Sequence, residues 1–370
     1  MRRNELPVDL PRATASEAQA EEAGLRFVSD ADPGITRIKP NKLWRYTGPD
    51  GKTIRDNKSL DRIRLLAIPP AWTDVWISPR ANGHIQATGR DARGRKQYIY
   101  HADWRKTRDE AKFHRILQFA RTLPRVRRTV KRHMGQRGLG REKVLATIVH
   151  LLETTLIRVG NQEYARSNQS FGLSTLQDKH VTFAGSQVRF KFRGKTGKEW
   201  HLKLSDRRVS RIVKSCQELP GQHLFQYEDA DGVVRQVTSA DVNSYLRDIA
   251  KTEVTAKDFR TWAGTVLAAM ALSEFDNVDS DTAAKRNIKN AIVAVASRLG
   301  NTPTICRKCY VHPQVLECYL EGSLVDTLNQ KVARELKGLA ALSPEEAATL
   351  ALLHNRLSRR KRRGGTANAG

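Results

Sequence analysis

The chain is poor in cysteine: Cys216, Cys306, Cys309 and Cys318 are the only four in 370 residues. That is too few for a disulfide scaffold of this length, so a reducing compartment is expected. Cys306-Arg-Lys-Cys309 has the spacing of half a zinc ribbon, yet no second pair supplies the remaining ligands. No metal site is therefore expected, and the two thiols read as small packing residues beside Tyr310. No apolar run approaches the roughly 20 residues that span a bilayer, so no membrane partner is expected. The basic start, Arg2-Arg3, is not followed by the apolar core of a secretory signal, and a cytoplasmic location is expected. A Walker A phosphate loop, a paired-carboxylate metal site and a long internal repeat are all missing. Nucleotide-driven and metal-dependent chemistry thus have no sequence signature here.

Acid is the other shortage. Only 39 Asp and Glu stand against 65 Lys and Arg, a formal net charge of +26. Such an excess favours a polyanionic partner, with binding that weakens steeply as salt rises. Charge alone fits a catalytically silent protein that packages or bends DNA just as well.

The length suffices for a sizeable core and two domains of roughly 100–200 residues. Residues 1–24 mix Pro, Ala, Glu and Arg without apolar periodicity and read as a flexible tail. Residues 25–105 read as a small, mainly β domain. Leu43–Tyr46, Val75–Ile77, His84–Ala87 and Gln97–His101 are aromatic or β-branched stretches separated by turn residues. The connector Gly89–Lys96 sets four cations between two of them. From about residue 106 the pattern turns helical: 108–123, 144–157, 240–251 after a Ser239 cap, 261–275 and 282–299, with Gly300 just past the end. Residues 125–143 form a cationic stretch with three glycines. Within the helical part, Val188, Phe190 and Phe192 alternate with Arg189, Lys191 and Arg193, which predicts a small β-meander over 181–204. Ser343-Pro-Glu-Glu346 is a capping box that opens a last helix. The fold class is α+β, with a mainly α domain over 106–355 and a basic, disordered tail over 356–370.

Five residues in this frame suit phosphodiester chemistry. Tyr310 is the candidate nucleophile; a phenol titrates near about 10, so it needs nearby cations or a proton acceptor. Arg158, closing an apolar helix, and Arg260, at the head of another, are candidate clamps. A planar guanidinium meets two phosphate oxygens at once, and a preorganised donor at developing charge is commonly worth roughly 3 kcal/mol. Each arginine, taken singly, fits equally a salt bridge to a core carboxylate. Lys195, on the turn between Gly194 and Gly197, is a candidate general acid for the leaving oxyanion, with Lys198 its competitor. Asn301 is a candidate neutral donor or simply a helix-capping residue.

In this order, Leu156-Ile-Arg158-Val-Gly-Asn, Gly172-Leu-Ser-Thr-Leu-Gln-Asp-Lys-His180, Phe192-Arg-Gly-Lys195, Lys257-Asp-Phe-Arg260-Thr and Leu299-Gly-Asn301-Thr-Pro through Tyr310 resemble the short poxviral and bacterial type IB DNA topoisomerases. The resemblance runs from about residue 40 to about residue 325. It implies relaxation of positive and negative supercoils of double-stranded DNA by a transient nick. The tyrosine would form a 3′-phosphotyrosyl bond, the free 5′ end would swivel, and the bond would be reversed without ATP, metal or other cofactor. By motif position Tyr310 is the nucleophile, Arg158 and Arg260 the clamp, Lys195 the general acid and Asn301 the fifth catalytic group. Lys257 and Tyr164 become DNA contacts. The β-rich domain would complete a C-shaped clamp around the duplex, with Arg90, Arg93, Lys96 and Tyr98 as contacts. A monomer, a nucleoid-associated location and a bacterial source go with this reading.

Two positions depart from the family pattern. Asn301 stands where better-known members carry histidine, so it donates a hydrogen bond but does not become cationic. His312, a possible substitute, precedes Pro313 and suits a turn role better. Thr196 follows the general acid where an acidic residue can occur. The nearest rival is a tyrosine recombinase, but Lys257 occupies the place where recombinases usually carry histidine, and the β-rich N-terminal half differs from a helical core-binding domain.

Overall fold

The computed structural model describes residues 15–39, 43–275, 280–329 and 342–365. They fall into two compact units, divided inside one long helix between His114 and Arg115. The change in sequence texture placed that division near residue 106.

The first unit holds α1 (Ala15–Glu22), β1 (Ile35–Ile38), β2 (Arg45–Thr47), α2 (Asn57–Leu65), β3 (Thr73–Ile77), β4 (Ile85–Arg90), β5 (Lys96–Tyr100) and the start of α3 (Ala102–His133). The strands form one antiparallel sheet in the order β2-β1-β3-β4-β5. Ile35, Val75, Ile77 and Ala87 cluster with Ile63 of α2. That helix buries only this one position, its Leu60 and Leu65 staying at least partly exposed, which is why apolar spacing does not reveal it. Its start is fixed by Asp56, whose side chain accepts from Ser59 N–H at 2.8 Å. Part of the expected flexible tail is ordered: α1 packs Ala20 against Leu25 and Trp104. Residues 1–14 of that tail lie outside the described residues.

The second unit continues α3 and adds α4 (Arg141–Thr155), α5 (Gln162–Asn168) and the meander β6 (Val181–Ala184), β7 (Gln187–Arg193), β8 (Glu199–Ser205). Then come α6 (Arg207–Gln217), a hairpin of β9 (Gln226–Glu228) and β10 (Val234–Gln236), α7 (Ser239–Ala250) and α8 (Ala256–Ser273). The chain ends with α9 (Asp281–Leu299), α10 (Pro303–Cys309), α11 (Pro313–Leu320), α12 (Leu324–Asn329) and α13 (Pro344–Gly365). In the meander, Val188, Phe190 and Phe192 are buried and their cationic neighbours exposed, as the alternation predicts.

Several boundaries differ from expectation for physical reasons. α3 runs through Pro124 into the cationic stretch, because Leu123, Val126, Val130 and Met134 prolong the buried stripe. α8 starts at Ala256, earlier than the expected residue 261, because Thr255 and Asp258 make a capping box with Asp258 accepting from Thr255 N–H at 2.8 Å. That start places Lys257 and Arg260 on the helix itself. α7 is capped by Thr238 in place of Ser239. The Ser343–Glu346 box forms, with Glu346 accepting from Ser343 N–H at 2.9 Å. The helix it opens continues to Gly365, so the basic segment expected to be disordered from residue 356 is helical that far. Residues 366–370 lie outside the described residues.

Candidate active site

The site assembles where α4, α8 and α9 end or begin. α4 stops at Leu156, whose φ of 58° is left-handed. A leucine there costs on the order of 1–3 kcal/mol, and the turn takes the chain out of the helix two residues before Arg158. Gly160 follows at φ 104°, and a β-carbon on Gly172 would lie 2.5 Å from the Arg158 carbonyl oxygen. Only this glycine-on-glycine approach lets Leu173 N–H donate to the Arg158 carbonyl at 2.9 Å and Ser174 N–H to the Val159 carbonyl at 2.6 Å. The main chain carrying Arg158 is thereby fixed, and its guanidinium donates to the Gly300 carbonyl at 3.3 Å and to Asn301 Oδ1.

Arg260 is 2% exposed. It donates to the Leu156 carbonyl and, at 2.6 Å, to the Leu299 carbonyl. Both acceptors sit at helix C-termini, where carbonyls lack intrahelical partners and carry partial negative charge. Its Cζ lies 5.1 Å from the centre of the Tyr310 ring. Burial pushes the pKa of Arg158 and of Arg260 down, with mutual repulsion adding to this at Arg260, while Tyr310 pushes both back up. Both stay cationic, because a guanidinium starts above about 12.

Among the described residues no carboxylate pairs with either arginine. The contrast lies in the same unit: Arg127 is bound by Glu153 at 2.7 Å and Glu346 at 2.8 Å. Arg260 Nε and Asn301 Nδ2 are also buried without a hydrogen-bond partner among the described residues. A buried donor left so costs about 1–3 kcal/mol. Two orphan donors beside two uncompensated cations make a place for an oxyanion.

Tyr310 caps α10, its N–H donating to the Cys306 carbonyl at 2.9 Å. Its main chain rests on α8: a β-carbon on Gly264 would lie 2.7 Å from the Tyr310 carbonyl oxygen. Thr265 Oγ1 is 3.3 Å from that oxygen and accepts from His312 N–H at 3.2 Å. His312 takes the turn role, its Nδ1 accepting from Gln314 N–H at 3.1 Å at the start of α11. Cys306 is buried beside Arg260, and burial pushes its thiol up to about 11.

A family model described as eukaryotic DNA topoisomerase I, catalytic core, matches residues 101–337, well over half of the chain. The chain belongs to the type IB DNA topoisomerases. A second model, bacterial DNA topoisomerase IB, N-terminal domain, matches residues 43–91. The DNA topoisomerase 1B of Acanthamoeba polyphaga mimivirus is 31% identical over 293 residues, 77% of this chain and 87% of the relative. That of Vaccinia virus strain Copenhagen is 23% identical over 288 residues, 74% of this chain and 86% of the relative. The DNA topoisomerase 1 of Mycosarcoma maydis is 22% identical over 344 residues, 85% of this chain but 33% of the relative. Among the described residues no helix of this topoisomerase is long and apolar enough to cross a membrane.

The other residues singled out from the sequence have settings of their own. Lys195 opens a 3-10 turn at the tip of the β7–β8 hairpin and is exposed. Its competitor Lys198 donates to the Ser297 carbonyl at 2.9 Å. Lys257 is exposed in the first turn of α8, and Tyr164 is exposed on α5. In the topoisomerase's first unit, Arg90 donates to the Gly94 carbonyl at 2.9 Å, and Arg93 is exposed on the connector. Lys96 is paired with Asp30 at 2.6 Å, and Tyr98 stacks on Tyr100 with ring centroids 5.8 Å apart. Sequence reasoning missed Gly264 and Thr265. Gly264 had a signal, a helix-weakening residue in the middle of an apolar helix; Thr265 had none.

Proposed function

We propose that this topoisomerase relaxes positively and negatively supercoiled duplex DNA by swivelling about a transient single-strand nick. Tyr310 attacks the phosphorus and forms a 3′-phosphotyrosyl bond. Arg158, Arg260 and Asn301 hold the non-bridging oxygens, and Lys195 gives the leaving 5′ oxygen its proton. The swivelled 5′-hydroxyl then reverses the reaction. Ester exchange conserves the bond energy, so ATP, metal and other cofactors have no step to drive. The β-rich unit completes a C-shaped clamp around the duplex, with Arg90, Arg93, Lys96 and Tyr98 on one side and Lys257 and Tyr164 on the other. The enzyme works as a monomer on nucleoid DNA in the cytoplasm.

The observation that carries this reading is the pair of arginines without carboxylates, Arg260 buried and Arg158 half-buried, next to two orphan donors and the Tyr310 ring. A structural ion-pair network has no reason to leave them uncompensated. Its exposed place at the tip of the β7–β8 hairpin supports Lys195 as the proton donor. The test is plasmid relaxation by pure protein in EDTA without ATP, for wild type and Tyr310→Phe. Wild type is expected to remove supercoils of both signs, and the variant to bind DNA yet relax none. Relaxation surviving in the variant removes Tyr310 as nucleophile; DNA binding without relaxation by wild type leaves a silent packaging protein.

A further inference from the structure

We infer that Trp200 is a positioning residue that sets the proposed proton donor Lys195 against the phosphate site. The inference rests on the role given to Lys195 above. One indole packs against the residue that precedes each partner of the alignment. A β-carbon on Gly194, the residue before Lys195, would lie 2.6 Å from Trp200 Nε1. A β-carbon on Gly300, the residue before Asn301, would lie 2.6 Å from Trp200 Cζ2. Both neighbours must therefore be glycine for the ring to fit, and Gly300 is also at φ 62°.

The ring itself is held. Trp200 is 7% exposed and lies parallel to Phe192, with centroids 6.3 Å apart and planes inclined by 7°. Lys198 adds a second tie: its ammonium sits 5.1 Å from the indole centroid while donating to the Ser297 carbonyl at the end of α9. Gly194 N–H closes the tip by donating to the Lys198 carbonyl at 2.7 Å. The hairpin tip is thus registered to the same helix end whose carbonyls receive Arg260 and Arg158.

Such registration matters for a proton donor. In cleavage the Tyr310 Oη–P bond forms as the P–O5′ bond breaks; O5′ takes the ammonium proton of Lys195. The phenolic proton passes to solvent, which later recharges the lysine. A donor must come within about 3 Å of that oxygen, and a misplacement of 1 Å can cost about 100-fold. The alternative is that Trp200 only fills the core.

The leaving group separates the two. A duplex with sulfur in place of the bridging O5′, at the cleavage site mapped on the ordinary duplex, expels a thiolate that needs no proton. Single-turnover cleavage is measured on both substrates. Lys195→Ala is expected to be at least about 100-fold slow on oxygen and restored on sulfur. Trp200→Ala is expected to lose about 10- to 100-fold on oxygen and to recover on sulfur to within a few-fold of wild type. Trp200→Phe should regain part of the oxygen rate, and Lys195→Ala with Trp200→Ala should be no slower than Lys195→Ala. If Trp200→Ala does not fold, Trp200→Phe and Lys198→Met carry the same test. Equal slowing on both substrates, or no slowing on oxygen, overturns the positioning role. Failure of sulfur to restore Lys195→Ala instead removes the assignment of the proton donor.

Discussion

Replacing Gly264 with alanine sets one methyl group against the main chain of Tyr310, the proposed nucleophile. Helix propensity alone predicts a gain, because glycine inside a helix costs roughly 0.5–1 kcal/mol relative to alanine. The site predicts a loss. The added carbon would sit 2.7 Å from the Tyr310 carbonyl oxygen, 3.1 Å from Leu299 Cδ1 and 3.2 Å from Tyr310 Cβ, where ordinary contact begins at 3.4 Å. The carbonyl must retreat by about 0.7 Å, and overpacking of this kind costs about 1–3 kcal/mol. The first term offsets part of the second and leaves a net loss of about 1 kcal/mol, so the melting temperature should fall by only a few degrees. Catalysis does not share that offset. A nucleophile displaced by most of an ångström loses on the order of 10- to 100-fold in rate. Covalent protein–DNA adduct formed in a single turnover, resolved on a denaturing gel, measures the rate while a thermal melt measures the fold. Cleavage within twofold of wild type would show that α8 does not set the position of Tyr310.

Three further outcomes follow from the site. Arg260→Lys leaves either the Leu156 or the Leu299 carbonyl without its donor; cleavage should drop about 10²–10³-fold, and a rate near wild type would dismiss the bidentate hold. Asn301→His should add a titration to the cleavage rate below about pH 6.5, depressed by the adjacent Arg158; pH–rate profiles of both proteins check this, and identical profiles refute it. Glu346→Gln weakens the tie between α13, Arg127 and Trp262. Burial pushes the Glu346 carboxyl up, but hydrogen bonds from Arg127, Ser343 and Trp262 outweigh it and hold the pKa below the ordinary value. A depressed native pKa contributes stability that is full above the unfolded value, near about 4.3, and fades as pH falls through the native one. The variant should therefore melt lower than wild type at pH 7, with the gap closing as pH falls below 4.

Much of this was legible in the sequence, for identifiable reasons. Alternation marked β7, and Gly300 marked the end of α9, because each signal lies within a few residues of its effect. The order of Arg158, Arg260, Asn301 and Tyr310 pointed to one site because their motifs are short and local. Helix α2 and the full length of α3 were not legible: the first buries a single isoleucine, and Pro124 in the second is outvoted by the apolar stripe around it. The contacts of Trp200 with Gly194 and Gly300 and the carbonyls that hold Arg260 lay beyond reach for another reason. Their roles arise only when α8, α9 and the β7–β8 hairpin meet, and no spacing along one segment encodes that meeting.

The hold on Arg260 has a consequence for how the protein can change. Leu156 and Leu299 serve it through carbonyl oxygens, which every amino acid possesses. A substitution at either position can keep the contact intact, provided the helix still ends there in the same way. A side-chain scan would then score both as ordinary packing sites and overlook their hold on Arg260. Their contribution is written in backbone shape, so mutational tolerance there is no measure of their importance to the arginine's position.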